Sequence, residues 1–323
     1  MAMLRALFLS FACLLCTVAH AASSVECVVP SKPGGAMDLT CKLAQKGLAQ
    51  ELAAAPGPVR LSYLPGGIGA VAWHSMGSQR RRAEANTLVA FSGGSLLNLA
   101  QGKFGNAKPG DVRWVAALGA DYGMIAVRDD SPYKNLAELI GALRQHPDKV
   151  LIGVSGTIGS QDWLKMALIA RQAGIDPKVL RFVALEGGGE VFTAMQANYV
   201  QVVSGDTSEA TLNASANHAR VLAVLSDKRL PGVLAGVPTA REQGFDVVWP
   251  IIRGLWMGPQ VPDADYQRWV ATFERAMATP QFAQWREQAG LSPFALTGAP
   301  LTKYVNQAYE RYVRQATELG LMR

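Results

Sequence analysis

The sequence predicts an α/β protein built from two lobes of similar design. Short runs of β-branched residues alternate with helical patterns, which is typical of largely parallel sheets covered by helices. In four places a strand run leads through a glycine-rich turn into a helical stretch. These four units form two adjacent pairs that lie far apart in the chain, so we assign one pair to each lobe.

Six strand runs, one long helix and one crossing segment support this fold class. The strand runs are residues 25–30, 59–64, 87–91, 150–154, 180–184 and 199–203. The clearest helix begins near Pro300 and carries apolar residues at i, i+3 and i+4 spacing until Gly320 ends it. The apolar segment from Trp249 to Gly254 predicts a strand that returns the chain to the first lobe near the hinge. Within it, Arg253 either faces the cleft or pairs at the lobe boundary.

The glycine-rich turns predict a site for an anion that carries more than one carboxylate. They lie at residues 31–35, 65–67, 155–159 and 186–189. Glycine lets a ligand approach the backbone closely, and the helix that follows points its unpaired amides and positive dipole end at the same place. Ligands of open α/β sheets bind at the carboxyl ends of the strands, where these turns are expected. A single turn of this kind is usually a connector, whereas four of them in two pairs favour a binding site.

The first 21 residues have the pattern of an export signal that is removed from the mature protein. Arg5 supplies the positive start, residues 7–18 form the apolar core, and Ala19-His20-Ala21 offers the cleavage pattern. The apolar core is too short to cross a bilayer as a helix, since that takes about twenty residues. Cys13 and Cys16 lack a convincing lipobox, so a lipid anchor is the weaker alternative.

The mature chain keeps two cysteines, Cys27 and Cys41. Export to an oxidising compartment favours a disulfide between them, which would close a loop of about 15 residues. The alternative is a pair of reduced cysteines packed in the core. Two cysteines and scattered histidines give no metal-ligand spacing, so we predict no metal and no cofactor.

Length, charge and missing motifs narrow the function further. Removal of the signal leaves 302 of the 323 residues, which suggests about two domains. The net charge of +6 suits an acidic small molecule. The run Arg80-Arg81-Arg82 is interpreted as a solvated helix end rather than a nucleic-acid patch, and residues 66–70 match only part of a dinucleotide fingerprint. No Walker A motif and no nucleophile elbow occur, so the sequence predicts a protein that is not an enzyme.

Longer motifs resemble one receptor family over essentially the whole mature chain. They are Glu26-Cys27, Lys32 to Gly35, Asp38 to Lys42, Pro65 to Ala72, Phe91 to Asn98, Ile158 to Trp163, Glu186 to Glu190, Val200 to Asp206 and Trp249 to Gly254. These segments are similar to the extracytoplasmic solute receptors of tripartite tricarboxylate transporters, also called Bug receptors. The resemblance is closest to the tricarboxylate, citrate-binding type.

The resemblance implies a periplasmic-binding-protein-like fold, with two α/β lobes, a ligand cleft and hinge crossover strands. We expect the first lobe to comprise residues 22–122 plus 250–323 and the second lobe residues 123–249. Closure of the lobes on a ligand follows if the ligand touches both of them.

The resemblance also implies that the first and third turns are the main carboxylate clamps. It nominates Ser31, Lys32, Gly34, Gly35 and Asp38 from the first lobe, and Ser155, Thr157, Gly159 and Ser160 from the second. The predicted site further includes Gly66, Gly67, Ser92, Gly93, Gly188, Ser204 and Asp206. Because Asp38 would lie beside an anion, helix capping or the ordering of water is its alternative role. Ala36 stands where a third glycine is common in the family, so the identity of the acid stays open.

The function expected from these features is that of a periplasmic receptor. It would capture a citrate-like tricarboxylate and deliver it to the membrane permease subunits of a tripartite tricarboxylate transporter. One alternative is a sensing subunit that presents its ligand to a sensor kinase. Another is a receptor of the same family for a dicarboxylate, a monocarboxylate or an amino acid. No nucleic-acid partner is expected.

Overall fold

The fold is described from a computed structural model that covers residues 24–51, 59–77, 81–213 and 219–322. The predicted export signal, residues 1–21, lies outside these described residues. Within them, no helix combines the length and the apolar character that a membrane span requires.

Ten strands and ten α-helices occur in the described residues, together with five short 3-10 helices. The strands are β1 (Glu26–Val29), β2 (Arg60–Tyr63), β3 (Thr87–Ser92), β4 (Arg113–Arg128), β5 (Leu151–Ser155), β6 (Arg181–Leu185), β7 (Val202–Asp206), β8 (Ala219–Leu225), β9 (Pro250–Met257) and β10 (Leu296–Thr297). The helices are α1 (Ala36–Glu51), α2 (Ala70–Gly77), α3 (Gly93–Ala100), α4 (Leu136–Gln145), α5 (Gln161–Gln172), α6 (Gly188–Gln196), α7 (Thr207–Asn213), α8 (Asp263–Met277), α9 (Pro280–Gln288) and α10 (Gly298–Glu318).

The strands form one continuous sheet in the order β2-β1-β3-β9-β4-β7-β5-β6, and β8 and β10 also pair with β4. Strand β4 changes partners along its length, because residues 113–122 pair with β9 and residues 123–128 pair with β7 and β8. We call the part built on β1, β2, β3, β9 and β10 the first lobe, and the part built on β5 to β8 the second lobe. The predicted lobe boundaries at residues 122 and 249 remain a proposal.

The pairing explains the hydrophobic runs in the sequence. Strands β1, β2 and β3 pair in parallel, as do β5, β6 and β7, whereas β4 and β9 run antiparallel to their neighbours. Central parallel strands are covered on both faces by helices, so their sequences are largely apolar rather than alternating. The edge strands β2 and β6 keep exposed residues. Strand β3 illustrates this, since all six of its residues are buried. The predicted α/β class is confirmed, and the predicted crossing segment forms strand β9.

The predicted disulfide between Cys27 and Cys41 is present and ties β1 to α1. The Cα atoms of the two cysteines are 5.7 Å apart, and both residues are fully buried. The bond closes the loop that contains the first glycine-rich turn, so it fixes both ends of that turn.

Removing this bond should destabilise the protein. We expect the double variant C27A/C41A to lose about 3 kcal/mol of unfolding free energy, since the unfolded chain then regains the freedom of a loop of about 15 residues. Urea unfolding measures the difference. A reductant should lower the midpoint of the natural protein and leave the double variant unchanged. If the reductant does not change the urea midpoint of the natural protein, the expectation is contradicted.

Candidate ligand-binding cleft

A small cavity lies where the two lobes meet. The first lobe contributes Pro30, Ser31, Gly35, Ala36, Met37, Ile68, Ser92, Gly94, Asn98 and Arg253 to its wall. The second lobe contributes Ser155, Ser160, Gln161, Asp162, Gly187, Gly188, Asp206 and Glu209. The volume is about 40 Å³, which is room for roughly three water molecules.

The local fold explains why these residues converge. Strands β1, β3, β5 and β7 end at the cavity, and helices α1, α3, α5 and α6 begin beside it. The carboxyl ends of strands from both lobes therefore face one another, together with the amino-terminal ends of helices. This is the arrangement that the glycine-rich turns predict.

Seven of the sixteen predicted site residues line the cavity. They are Ser31, Gly35, Ser92, Ser155, Ser160, Gly188 and Asp206. The other nine lie nearby without lining it, namely Lys32, Gly34, Asp38, Gly66, Gly67, Gly93, Thr157, Gly159 and Ser204. The second turn contributes Ile68 instead of its glycines, and α3 contributes Gly94 instead of Gly93. A role for any of these residues in ligand binding remains a proposal.

Asp38 and Asp162 accept hydrogen bonds from backbone amides of the first and third glycine-rich turns. The Gly34 amide donates to Asp38 Oδ2 at 2.9 Å, and the Tyr63 hydroxyl donates to Asp38 Oδ1 at 3.0 Å. In the second lobe the Ser155 amide donates to Asp162 Oδ2 at 3.0 Å. The carboxylate of Asp38 therefore holds the shape of the first turn, which is a structural role different from the helix capping or water ordering that the sequence left as its alternative.

Several polar contacts join the lobes around the cavity. Lys32 Nζ lies 2.8 Å from Glu190 Oε1, and Gln101 Nε2 donates to the carbonyl oxygen of Gly159 at 2.7 Å. The hydrogen bond from Lys32 is the main cause that lowers the pKa of Glu190. The two side chains of this ion pair are partly exposed, so solvent screens the pair and it contributes little to stability.

A buried network of ion pairs lies beneath the cavity and connects strands β4 and β9 to the second lobe. The Arg253 guanidinium donates to Asp121 Oδ2 at 2.7 Å through Nη2 and at 3.1 Å through Nε, and it also pairs with Asp206. Lys165 Nζ lies 2.7 Å from Asp162 Oδ1 and also pairs with Asp206. Every side chain in this network is less than 5% exposed. Arg253 thus both faces the cavity and forms ion pairs at the boundary between the lobes, which are the two roles that the sequence left open.

Burial and charge act against each other in this network. Burial favours neutral Lys165, but the charges of Asp162 and Asp206 outweigh burial and raise the pKa of Lys165 to about 12. Burial, opposed by Lys165, raises the pKa of Asp162 to about 6. For Asp206 the two cations Lys165 and Arg253 outweigh burial and lower its pKa. Asp206 is therefore the carboxylate that stays ionised between the two cations.

Glu209 of α7 reaches across from the second lobe to the start of α1. Its Oε1 accepts a hydrogen bond from the Ala36 amide at 3.1 Å, and its Oε2 accepts one from the Asp206 amide at 3.2 Å. Burial is the largest cause that raises the pKa of Glu209 to about 8, followed by the charges of Asp206 and Asp162, whereas Arg253 opposes the shift. Sequence reasoning missed Glu209, along with Asp121, Asp162 and Lys165.

Two amide side chains complete the polar lining. Gln161 Nε2 donates to Asp206 at 3.1 Å, and its Oε1 is buried without a hydrogen-bond partner among the described residues. The Oδ1 atom of Asn98 is buried and unpartnered in the same way, in a side chain that is 3% exposed. The cavity therefore holds more hydrogen-bond acceptors than its own donors satisfy. Within the same described residues, no group of His, Cys, Asp and Glu side chains is arranged to hold a metal ion.

Two α/β lobes joined by crossing strands, with a polar cavity between them, define a protein of the periplasmic-binding-protein-like class. The structure of the periplasmic binding protein BugD has a TM-score of 0.81 to this chain at 19% identity, over 93% of this chain and 98% of BugD. MatC from Rhodopseudomonas palustris with bound malate gives 0.76 at 22% identity, over 90% and 98%. An R. palustris protein with adipate gives 0.81 at 19% identity, over 92% and 97%.

The chain belongs to the tripartite tricarboxylate transporter receptor family, TctC, whose sequence pattern matches residues 103–321. It is also 22% identical over 302 residues to a UPF0065 protein of Bordetella pertussis, covering 92% of this chain and 90% of that protein. The family and its solved structural neighbours are solute-binding receptors and not enzymes. Receptors of this family bind small carboxylates and work with membrane permeases.

Proposed function

We propose that this protein is a periplasmic receptor that captures a small organic acid between its lobes and delivers it to the permease subunits of a tripartite tricarboxylate transporter. The observation that carries the proposal is the convergence of strand ends and helix starts from both lobes on one polar cavity. Membership of the receptor family supports it. A periplasmic location rests on the family and on the predicted export signal.

For the ligand, the sequence favours a citrate-like tricarboxylate. The hydroxyl groups of four serines in the cavity wall, Ser31, Ser92, Ser155 and Ser160, are suited to donate to carboxylate oxygens. Two structural neighbours hold the dicarboxylates malate and adipate, which supports an organic acid of this size.

A receptor for an acid with fewer carboxylates is the second candidate. The cavity and the network beneath it contain four acidic side chains, Asp121, Asp162, Asp206 and Glu209, and two basic ones, Lys165 and Arg253. Both cations are already paired with the protein's own carboxylates. This charge balance favours a monocarboxylate or an amino acid over citrate.

Ligand binding requires the lobes to separate and close again. A cavity of about 40 Å³ is too small for a six-carbon acid, so the lobes have to move apart before such a molecule enters. A ligand that then touches both lobes stabilises the closed arrangement, whereas one held by a single lobe does not. The closed receptor would present its surface to the permease or, in the sensing alternative, to a sensor kinase.

A thermal-shift and calorimetric screen of the mature protein tests the proposal. The panel comprises citrate, isocitrate, tricarballylate, malate, succinate, adipate, aspartate, glutamate and 4-aminobutyrate. We expect at least one acid to bind, and Gly35→Val to abolish its binding, because a Cβ atom at Gly35 would already lie 3.3 Å from the Gly188 amide nitrogen. Gly236→Val is the matched control, since a Cβ atom there meets nothing within 4 Å. A natural protein that binds none of these acids would contradict the proposal.

A further inference from the structure

The start of α1 already holds a carboxylate that belongs to the protein. The Ala36 amide is the first of the helix, and it donates to Glu209 Oε1 at 3.1 Å. Amides at this position have no partner within their own helix, and the helix dipole favours an anion beside them. A side chain of the second lobe therefore occupies the place where the first turn was expected to hold a carboxylate of the ligand.

The surrounding backbone is shaped to receive this carboxylate. A Cβ atom at Gly188 would overlap the carboxylate of Glu209, and one at Gly35 would lie 3.6 Å from Glu209 Oε1. Glu209 itself is 4% exposed. Two glycines on opposite lobes thus leave room for a side chain that a larger residue at Gly188 would displace.

The cavity wall beside Glu209 accepts hydrogen bonds. Asn98 is 3% exposed, lines the cavity and has a buried Oδ1 without a partner among the described residues. The Oε1 atom of Gln161 is in the same situation, and its amide group is already bonded to Asp206. A buried acceptor without a donor is energetically unfavourable, so a ligand that supplies donors binds more favourably here.

We propose that Glu209 determines the ligand selectivity of this cleft. The carboxyl group of Glu209 occupies the position beside the Ala36 amide at the start of α1, and it therefore disfavours acids that would place a carboxylate there. Together with Asn98 and Gln161, Glu209 favours a ligand whose corresponding end carries N–H donors. The ligand class is then an acid with one carboxylate and an ammonium or amide group. This inference rests on the proposed function, since it assumes that the cleft binds a small organic acid.

The charges that face Glu209 agree with this selectivity. Asp206 of β7 and Asp162 of α5 are acidic, Arg253 of β9 is basic, and α1 and α6 face it with the backbone of Ala36 and Gly188. Arg253 is itself paired with two carboxylates. A second ligand carboxylate would add a negative charge to this surrounding, whereas an ammonium group would neutralise one.

Calorimetry with two ligands of equal length tests the proposal. Glutarate and 4-aminobutyrate differ only in whether the second end is a carboxylate or an ammonium group, and the natural protein should bind 4-aminobutyrate more tightly. The titration is run at pH 9, where Glu209 is ionised because its pKa is raised to about 8. In E209Q the ratio of the two dissociation constants should then move towards glutarate by about tenfold or more, which corresponds to one charge-assisted hydrogen bond. E209A frees the Ala36 amide entirely and should move the ratio in the same direction. Glu318→Gln, an exposed position of α10, is the matched control and should leave the ratio unchanged.

The outcomes separate this inference from the proposed function. A natural protein that binds no acid of the screening panel overturns the proposed function, and the inference with it. A natural protein that prefers citrate or glutarate, or an unchanged ratio in both Glu209 variants, overturns the inference alone.

Stability against pH gives a second readout that needs no ligand. The pKa of Glu209 is raised from 4.5 to about 8, so between these values the folded protein keeps a proton that the unfolded chain has lost. Stability from this group is fully present below pH 4.5 and is lost as the pH rises through about 8. E209Q has no such proton and should show a flatter decline of the melting temperature between pH 5 and pH 9. An equal decline in both proteins would contradict the buried position of this carboxylate.

Discussion

Replacing Arg253 with leucine should lower the free energy of unfolding by about 3–5 kcal/mol. The substitution removes the cation between Asp121 and Asp206, and both carboxylates stay in a buried position. Among the described residues, Lys165 then remains as the only basic partner of Asp206, and Asp121 keeps its hydrogen bonds from the Thr207 and Ser208 hydroxyls. A buried charge that loses its partner is strongly destabilising, whereas the intact pair adds little over apolar residues of the same size.

Urea unfolding of R253L, R253K and the natural protein measures this effect. R253K keeps the charge but loses the forked geometry that serves two carboxylates, so it should fall between the other two. Arg314→Leu, at an exposed position of α10, is the matched control and should change stability by less than about 0.5 kcal/mol. A loss below about 1 kcal/mol in R253L would show that the two carboxylates become protonated or hydrated without difficulty.

Gly189→Ala should reduce ligand affinity by about 100-fold or more without destabilising the fold. A Cβ atom at Gly189 would lie 2.8 Å from the backbone carbon of Gly34 and 2.8 Å from the carbonyl oxygen of Pro33. Because these are backbone atoms of the opposite lobe, the steric overlap is relieved only if the lobes separate. Because the closed arrangement is then rarely populated, the apparent affinity falls by the same fraction.

Calorimetry with the best acid from the screen, together with small-angle X-ray scattering, distinguishes this effect from unfolding. Alanine is a better helix former than glycine, so the melting temperature of G189A should be equal or higher while the affinity falls. Gly141→Ala in α4, where a Cβ atom meets nothing within 4 Å, should gain the same helix propensity and keep full affinity. Unchanged binding in G189A would mean that the lobes need not approach this closely.

The parallel parts of the fold could be predicted because burial on both faces leaves apolar runs in the sequence. All six predicted strand runs became strands, although β7 begins three residues later than expected, at Val202, and extends to Asp206. The long strand β4 was not predicted, because Gly119, Asp121 and Gly123 interrupt its apolar pattern. Asp121 is tolerated there since Arg253, which is distant in sequence, neutralises it. A pattern search along the chain cannot detect such a partner.

The candidate site could be predicted at the level of turns but not of side chains. Strand ends followed by glycine predict four turns near a binding site, yet the sequence does not tell which side of a turn faces the cavity. Gly35 lines the cavity, for example, while the neighbouring Gly34 does not. Glu209 and Lys165 lie within helices whose sequences are unremarkable, and their roles depend on contacts across the lobes or between elements. The available signal was Glu209 in the first turn of α7, three residues after Asp206 at the end of β7.

The position of β9 has a consequence for how the chain assembles. This strand lies between β3 and β4, so the first lobe brings together the beginning and the end of the chain. Strands β5 to β8 come from one continuous segment and find their partners locally, which makes early pairing favourable. Before residues 250–257 form β9, the edge of β3 that later pairs with β9 has no partner. Its six apolar or small residues can then pair with strands of other chains. The first lobe is therefore completed last, and it is the part of the protein most prone to aggregate during synthesis.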